Sequence, residues 1–146
     1  MLPYTAAALA FLVPLAFQLV VAATSLRDVR KEISDAIALS AVAGLGEARL
    51  ESLLSGTLAL DPVAAEQVTR QYLDYNLSYL QGRLAAPHAQ VVSALHVSVL
   101  AEGGTDPVTG YPWPYPTIHV AGEVPVLVAG QSLELGFHQD ASLRTP

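Results

Sequence analysis

The sequence contains no cysteine. Disulfides, iron–sulfur clusters, thiolate zinc sites and cysteine nucleophiles are therefore excluded. Charge is scarce as well. Asp, Glu, Lys and Arg make up 14% of 146 residues, against about 25% in an ordinary soluble domain. Only seven of these are basic, they form no cluster, and the net charge is −6. Neutralising a phosphate backbone needs Lys and Arg grouped on one face, so no nucleic-acid partner is expected. No glycine-rich turn joins a strand to a helix as a phosphate cradle. No adjacent carboxylates suggest general acid–base work. No catalytic or cofactor-binding residue is identified, no cofactor is expected, and the chain does not read as an enzyme.

What is abundant is apolar surface, at 52% of residues, and it is concentrated at the start. Residues 1–26 contain no Asp, Glu, Lys or Arg. A helix apolar all round belongs in lipid or inside a packed bundle. About 20 apolar residues cross a hydrocarbon layer of ~30 Å, so residues 2–24 are long enough. A secretory signal needs a basic n-region, a short apolar core and a small-residue cleavage site. Val21-Ala22-Ala23 would serve as the last, but no Lys or Arg precedes it and the apolar run is too long. A retained helix is expected instead. Arg27, Arg30 and Lys31 follow the span, which would leave the C-terminus cytoplasmic. Removal of a basic leader ahead of Met1 would resolve that conflict. Pro14 lacks an N–H and opposes the Ala10 carbonyl, so the helix should kink or open there.

The helical pattern continues without a break. Leu26, Val29, Ile33 and Ile37 recur at spacings of three and four, one stripe of an amphipathic helix. Ala36-Ile-Ala-Leu-Ser-Ala-Val-Ala-Gly-Leu-Gly46 is either a small-residue surface for close helix packing or a plain alanine-rich helix end. Ser55-Gly56-Thr57 supplies a stop, so the expected helix runs from residue 2 to about 54 and is about 80 Å long. Asp61-Pro62 starts a second helix, about 62–84. Its Val68, Tyr72, Tyr75 and Tyr79 form a stripe read as core or interface packing. Asn76-Leu-Ser78 matches a glycosylation sequon in mid-helix.

Beyond Pro87 the period falls to two, and strands are expected at about 91–100, 117–128 and 132–143. Residues 101–116 carry turn signals and four prolines and read as an exposed hairpin loop. Gly122 and Pro125 suggest a bulge or an edge position. The fold class is α+β: a long apolar-then-amphipathic N-terminal helix, a second helix and a small antiparallel sheet. Residues 1–57 form the membrane or filament-core helix with its continuation, and 58–146 an extracellular head.

Four histidines occur, His88, His96, His119 and His138. The last three lie on different expected strands and would converge only if those strands were neighbours in register. Their spacing matches no ligand pattern and no close acid supports it, so they are read as polar-face side chains and no metal is assigned. In Tyr111-Pro-Trp-Pro-Tyr-Pro116 aromatics and prolines alternate. This stiff segment either offers Tyr111, Trp113 and Tyr115 to a partner or glycan, or packs on itself.

The layout resembles a type IV pilin, and the tight-adherence (TadE-like) branch in particular. Ala8-Leu-Ala-Phe-Leu-Val-Pro-Leu-Ala-Phe17 is similar to that branch's aliphatic run ending in Val/Leu-Pro-Leu. The unbroken passage into an alanine-rich amphipathic helix is a second likeness, and the proline-containing strand, Gly and final strand of residues 117–143 a third. Residue 5 is Thr, where pilins usually carry Glu. The resemblance implies a structural, lollipop-shaped subunit of a helical cell-surface filament serving in adhesion. Tyr4, Leu9, Phe11, Leu12, Pro14, Leu15, Phe17, Leu19 and Val20 would form its polymerisation and membrane helix. Its implied partners are copies of itself, the cytoplasmic or inner membrane before assembly, a prepilin peptidase and the pilus assembly machinery. The alternative is a single-pass anchored extracytoplasmic protein that binds or scaffolds a partner.

Overall fold

The computed structural model describes residues 2–48 and 58–143. Helix α1, Leu2–Gly44, is followed by a 3-10 turn at Leu45–Glu47. Helix α2 is Pro62–Tyr79, a 3-10 turn covers Gln81–Arg83, and a short α3 spans His88–Ala94. Five strands follow: β1 His96–Leu100, β2 Gly104–Thr105, β3 Pro112–Trp113, β4 Thr117–Val128 and β5 Gln131–Ser142. The fold is α+β.

Helix α1 runs on through Pro14. Its 43 residues give a length of about 64 Å, so the helix is shorter than the sequence suggests. Past Gly44 the chain tightens into the 3-10 turn and is extended at Ala48. A Cβ at Gly44 would overlap Thr69 Oγ1 and sit 2.6 Å from Ile118 Cδ1 and 2.9 Å from the Ala65 carbonyl. The end of α1 therefore lies hard against α2 and the sheet. The expected last turns at 49–54 and the Ser55-Gly56-Thr57 stop fall outside the described residues.

The two halves of α1 have opposite environments. Val29, Ile33, Ala36, Ile37, Ser40 and Ala41 are buried, with Leu26 packed at the margin, which follows the stripe seen in sequence. Ala65, Thr69, Leu73 and Leu77 of α2 recur every fourth residue and are buried as well. The small residues at 36–44 thus serve close packing within this chain. The buried hydroxyls of the two helices are satisfied locally: Ser40 Oγ donates to the Ala36 carbonyl at 2.7 Å, and Thr69 Oγ1 to that of Ala65 at 2.7 Å. Asn76 Nδ2 crosses from α2 to donate to Ser40 Oγ at 3.0 Å. The sequon amide is thereby engaged between helices.

Asp61 caps α2 as expected, accepting from the Val63 and Ala64 N–H groups at 3.0 and 3.1 Å, with Pro62 in the first turn. The tyrosine stripe, however, is not core. Tyr72, Tyr75 and Tyr79 are 48%, 58% and 73% exposed, because the face at 65, 69, 73 and 77 meets α1. The Tyr75 and Tyr79 rings meet edge-to-face at 5.0 Å and their hydroxyls hydrogen-bond at 3.0 Å. That bond, followed by the Tyr79 charge and slight desolvation, raises the Tyr75 phenol above its ordinary pKa.

Residues 91–94, expected as strand, belong to α3. Val91 and Leu95 are buried four apart, on one helical face behind Pro87. The main sheet has the order β1-β4-β5, all antiparallel. The β4–β5 register runs unbroken from Thr117↔Ser142 to Val128↔Gln131, so Gly122 and Pro125 cause no bulge in that pairing. β1 pairs only with residues 117–121, which leaves Pro125 where no β1 partner needs its missing N–H. One sheet face, with Val97, Ile118, Val120, Val124, Val126 and Phe137, joins the α1 and α2 stripes in a single apolar cluster. β2 and β3 form a separate two-residue pairing inside the proline-rich loop.

Candidate functional site

Two features of the molecule have functional character. The first is the outer half of α1. Leu12, Val13, Leu15, Phe17, Leu19, Val20 and Val21 are 48–69% exposed, with no cover among the described residues. The helix is long and apolar enough to cross a membrane: its most apolar stretch has a mean hydropathy of 1.4 and is 6% buried within the protein. Thr24 Oγ1 donates to the Val20 carbonyl at 2.8 Å, so even this hydroxyl is satisfied within the helix. Of the residues expected in this surface, Leu12, Leu15, Phe17, Leu19 and Val20 project outward. Tyr4, Leu9 and Phe11 have their backbone in α1, while their side chains lie outside the described part.

The second feature is a cluster on the outer face of the sheet. The register places Ser98, His119 and Asp140 in one cross-strand row, and His96, Ala121 and His138 in the next. Residues two apart on a strand share a face, so His138 and Asp140 both flank His119. Asp106 joins them from the turn after β2. Its Oδ1 accepts from the Val108 N–H at 2.7 Å and the Thr109 N–H at 3.3 Å, and its own N–H donates to the Tyr111 carbonyl at 2.9 Å. This turn fixes the carboxylate and leaves Oδ2 aimed at His119 Nδ1, 3.0 Å away. Burial pushes the Asp106 carboxyl up. The Val108 and Thr109 hydrogen bonds, and then the His119 charge, outweigh it and hold the pKa below the ordinary value.

His119 is wholly buried and Asp106 1% exposed, whereas His138 and Asp140 keep 44% and 25% of their side chains accessible. His119 Nδ1 also meets His138 Nε2 at 2.9 Å and Asp140 Oδ1. The two rings stand edge-to-face at 4.1 Å. One potential ligand atom from each of the four groups lies within 4.8 Å of all the others.

His119 lies on the outer, polar face of the sheet as expected but is buried by the loop, and the expectation that no close acid supports the histidines is corrected by Asp106 and Asp140. His96 stands exposed on the far side of Ala121 from His138, and His88 lies beside Asp74 at 3.4 Å. A signal for part of the cluster was present in the sequence, since His138-Gln-Asp140 puts a base and an acid on one strand face. Asp106 gave none, because a turn has no periodicity.

The proline-rich loop is only partly exposed. Tyr111 and Tyr115 are 69% and 38% exposed, Trp113 is half-buried, and Asp106 and Pro116 are buried. It folds over the sheet face that carries His119. No protein-family model, curated protein or solved structure matches the chain.

Proposed function

We propose that this protein is the structural subunit of a pilin-like surface filament, held in a membrane by α1 before it assembles. The observation that carries this reading is the division of α1. Its second half is built into the head, while its charge-free first half projects a row of large apolar side chains that nothing among the described residues covers. Exposed apolar area costs roughly 25 cal/mol per Å² in water, so this surface must lie in lipid or against other helices. A helix without charge exchanges the one for the other with little desolvation penalty. Copies packed through α1 would place the sheet, with Tyr111 and Tyr115, on the outside of the polymer. The likeness to tight-adherence pilins in Ala8–Phe17 supports the same reading.

Electron microscopy of the purified full-length chain after detergent removal tests it. Helical filaments with residues 12–24 at the axis are expected. A chain that stays monomeric in micelles, and inserts in vesicles without polymerising, would leave the anchored binding or scaffold protein as the reading instead.

A further inference from the structure

We propose that Asp106, His119, His138 and Asp140 bind a single first-row divalent cation, with Zn2+ the best fit. An imidazole nitrogen takes part in one hydrogen bond, as donor or acceptor according to tautomer. His119 Nδ1 has three polar neighbours: Asp106 Oδ2 at 3.0 Å, His138 Nε2 at 2.9 Å and Asp140 Oδ1. Whichever tautomer His119 adopts, two of the three go unserved by it. Asp106 Oδ2 is the sharpest case, being buried and without a hydrogen bond among the described residues. A buried carboxylate oxygen in that position is costly. A cation satisfies all four atoms at once, since each brings a lone pair.

Three of the six separations among these atoms agree with this. With metal–ligand bonds of about 2.0–2.1 Å, tetrahedral geometry separates neighbouring ligand atoms by about 3.3 Å. The separations of 2.9 Å (His119–His138), 3.0 Å (His119–Asp106) and 3.4 Å (His138–Asp140) lie near that value, His119 Nδ1 and Asp140 Oδ1 stand closer, and all four atoms lie within 4.8 Å of one another. Two imidazoles disfavour Ca2+ and Mg2+, which take oxygen ligands, and suit the late first-row ions. Four protein ligands complete a tetrahedral shell and leave no coordination position for substrate, which marks a structural site rather than a catalytic one. The Val108 and Thr109 hydrogen bonds on Asp106 Oδ1 are the outer contacts that orient such a ligand. The ligands come from the β2–β3 turn, β4 and β5, so the ion would clamp the aromatic loop onto the sheet.

The test uses the full-length chain in detergent micelles, with Zn2+ as the probe and Ca2+ for comparison. Calorimetric titration and metal analysis after gel filtration should find one Zn2+ per chain and no retained Ca2+. Co2+ should give the visible absorption of a tetrahedral complex. Trp113, the single tryptophan, sits on the same hairpin as Asp106, so its fluorescence should change on Zn2+ binding. His138→Ala and Asp140→Asn alter accessible side chains and should fold. Each should weaken Zn2+ binding about 100-fold or more, at or beyond the upper end of what losing an outer-shell partner costs. His96→Ala should leave binding unchanged. Absence of stoichiometric Zn2+ from the wild type, wild-type affinity in both ligand variants, or an equal loss in His96→Ala would overturn the assignment.

Discussion

Gly44 and Gly46 lie two residues apart and should respond oppositely to the same change. Gly44→Ala drives a Cβ into Thr69, Ile118 and the Ala65 carbonyl, of which the last belongs to a helix backbone and cannot rotate away. The expected loss is about 3 kcal/mol, the upper end of the overpacking range, read by chemical denaturation in micelles. At Gly46 a Cβ meets nothing within 4 Å, and Gly46→Ala should gain about 0.5 kcal/mol by restricting the unfolded chain. Ala129 offers a third case. It and Gly130 form the two-residue turn between β4 and β5, with φ of 49° and 78°. Such a turn needs positive φ at both positions, which alanine tolerates poorly. Ala129→Asn should therefore raise stability by about 0.5 kcal/mol, and an unchanged or lower denaturation midpoint would show that the turn is not strained by alanine.

At the scale of elements, the long alternating strands were readable and the short helix was not. In residues 117–128 the positions 118, 120, 124, 126 and 128 are buried on the core face, while the loop also buries Thr117 and His119 on the other, and the strand ends where the sequence places them. α3 has seven residues and buries only Val91 within itself, with Leu95 just beyond. Two apolar positions four apart satisfy a period of two as well as one of 3.6, so pattern alone cannot separate them. The tyrosines of α2 misled for a different reason. Two helical stripes were available, and the buried one is Ala65, Thr69, Leu73 and Leu77, whose two small residues let the end of α1 approach at Gly44. Aromatic content favoured the wrong stripe. For the site, the spacing of His138 and Asp140 puts both on one strand face, but a reading by histidine spacing passes over that acid, whereas Asp106 depends on the fold of a turn. Division of α1 at about residue 26 carries its own expectation. A chain lacking residues 1–25 keeps every buried side chain of the helix from Val29 onward. It should remain folded and monomeric without detergent and melt within a few degrees of the full chain. Loss of cooperative melting would mean that the apolar half supports the head directly.

On the scale of the whole molecule, the head is self-sufficient and the helix is not. The head closes its core between α1, α2, α3 and the inner sheet face. The outer half of α1 presents its apolar side chains to whatever surrounds it, and the account requires those surroundings to become other copies of the same helix. Phe17 is 69% exposed and stands clear of the head, so Phe17→Asp should spare the fold while placing an unpaired charge in the helix contact. Electron microscopy of the wild type and Phe17→Asp after detergent removal, with melting curves of both heads, is the most direct measurement. Filaments from the wild type, none from Phe17→Asp, and coincident melting curves are expected. Filaments from Phe17→Asp in wild-type yield, or none from either protein, would contradict assembly through α1.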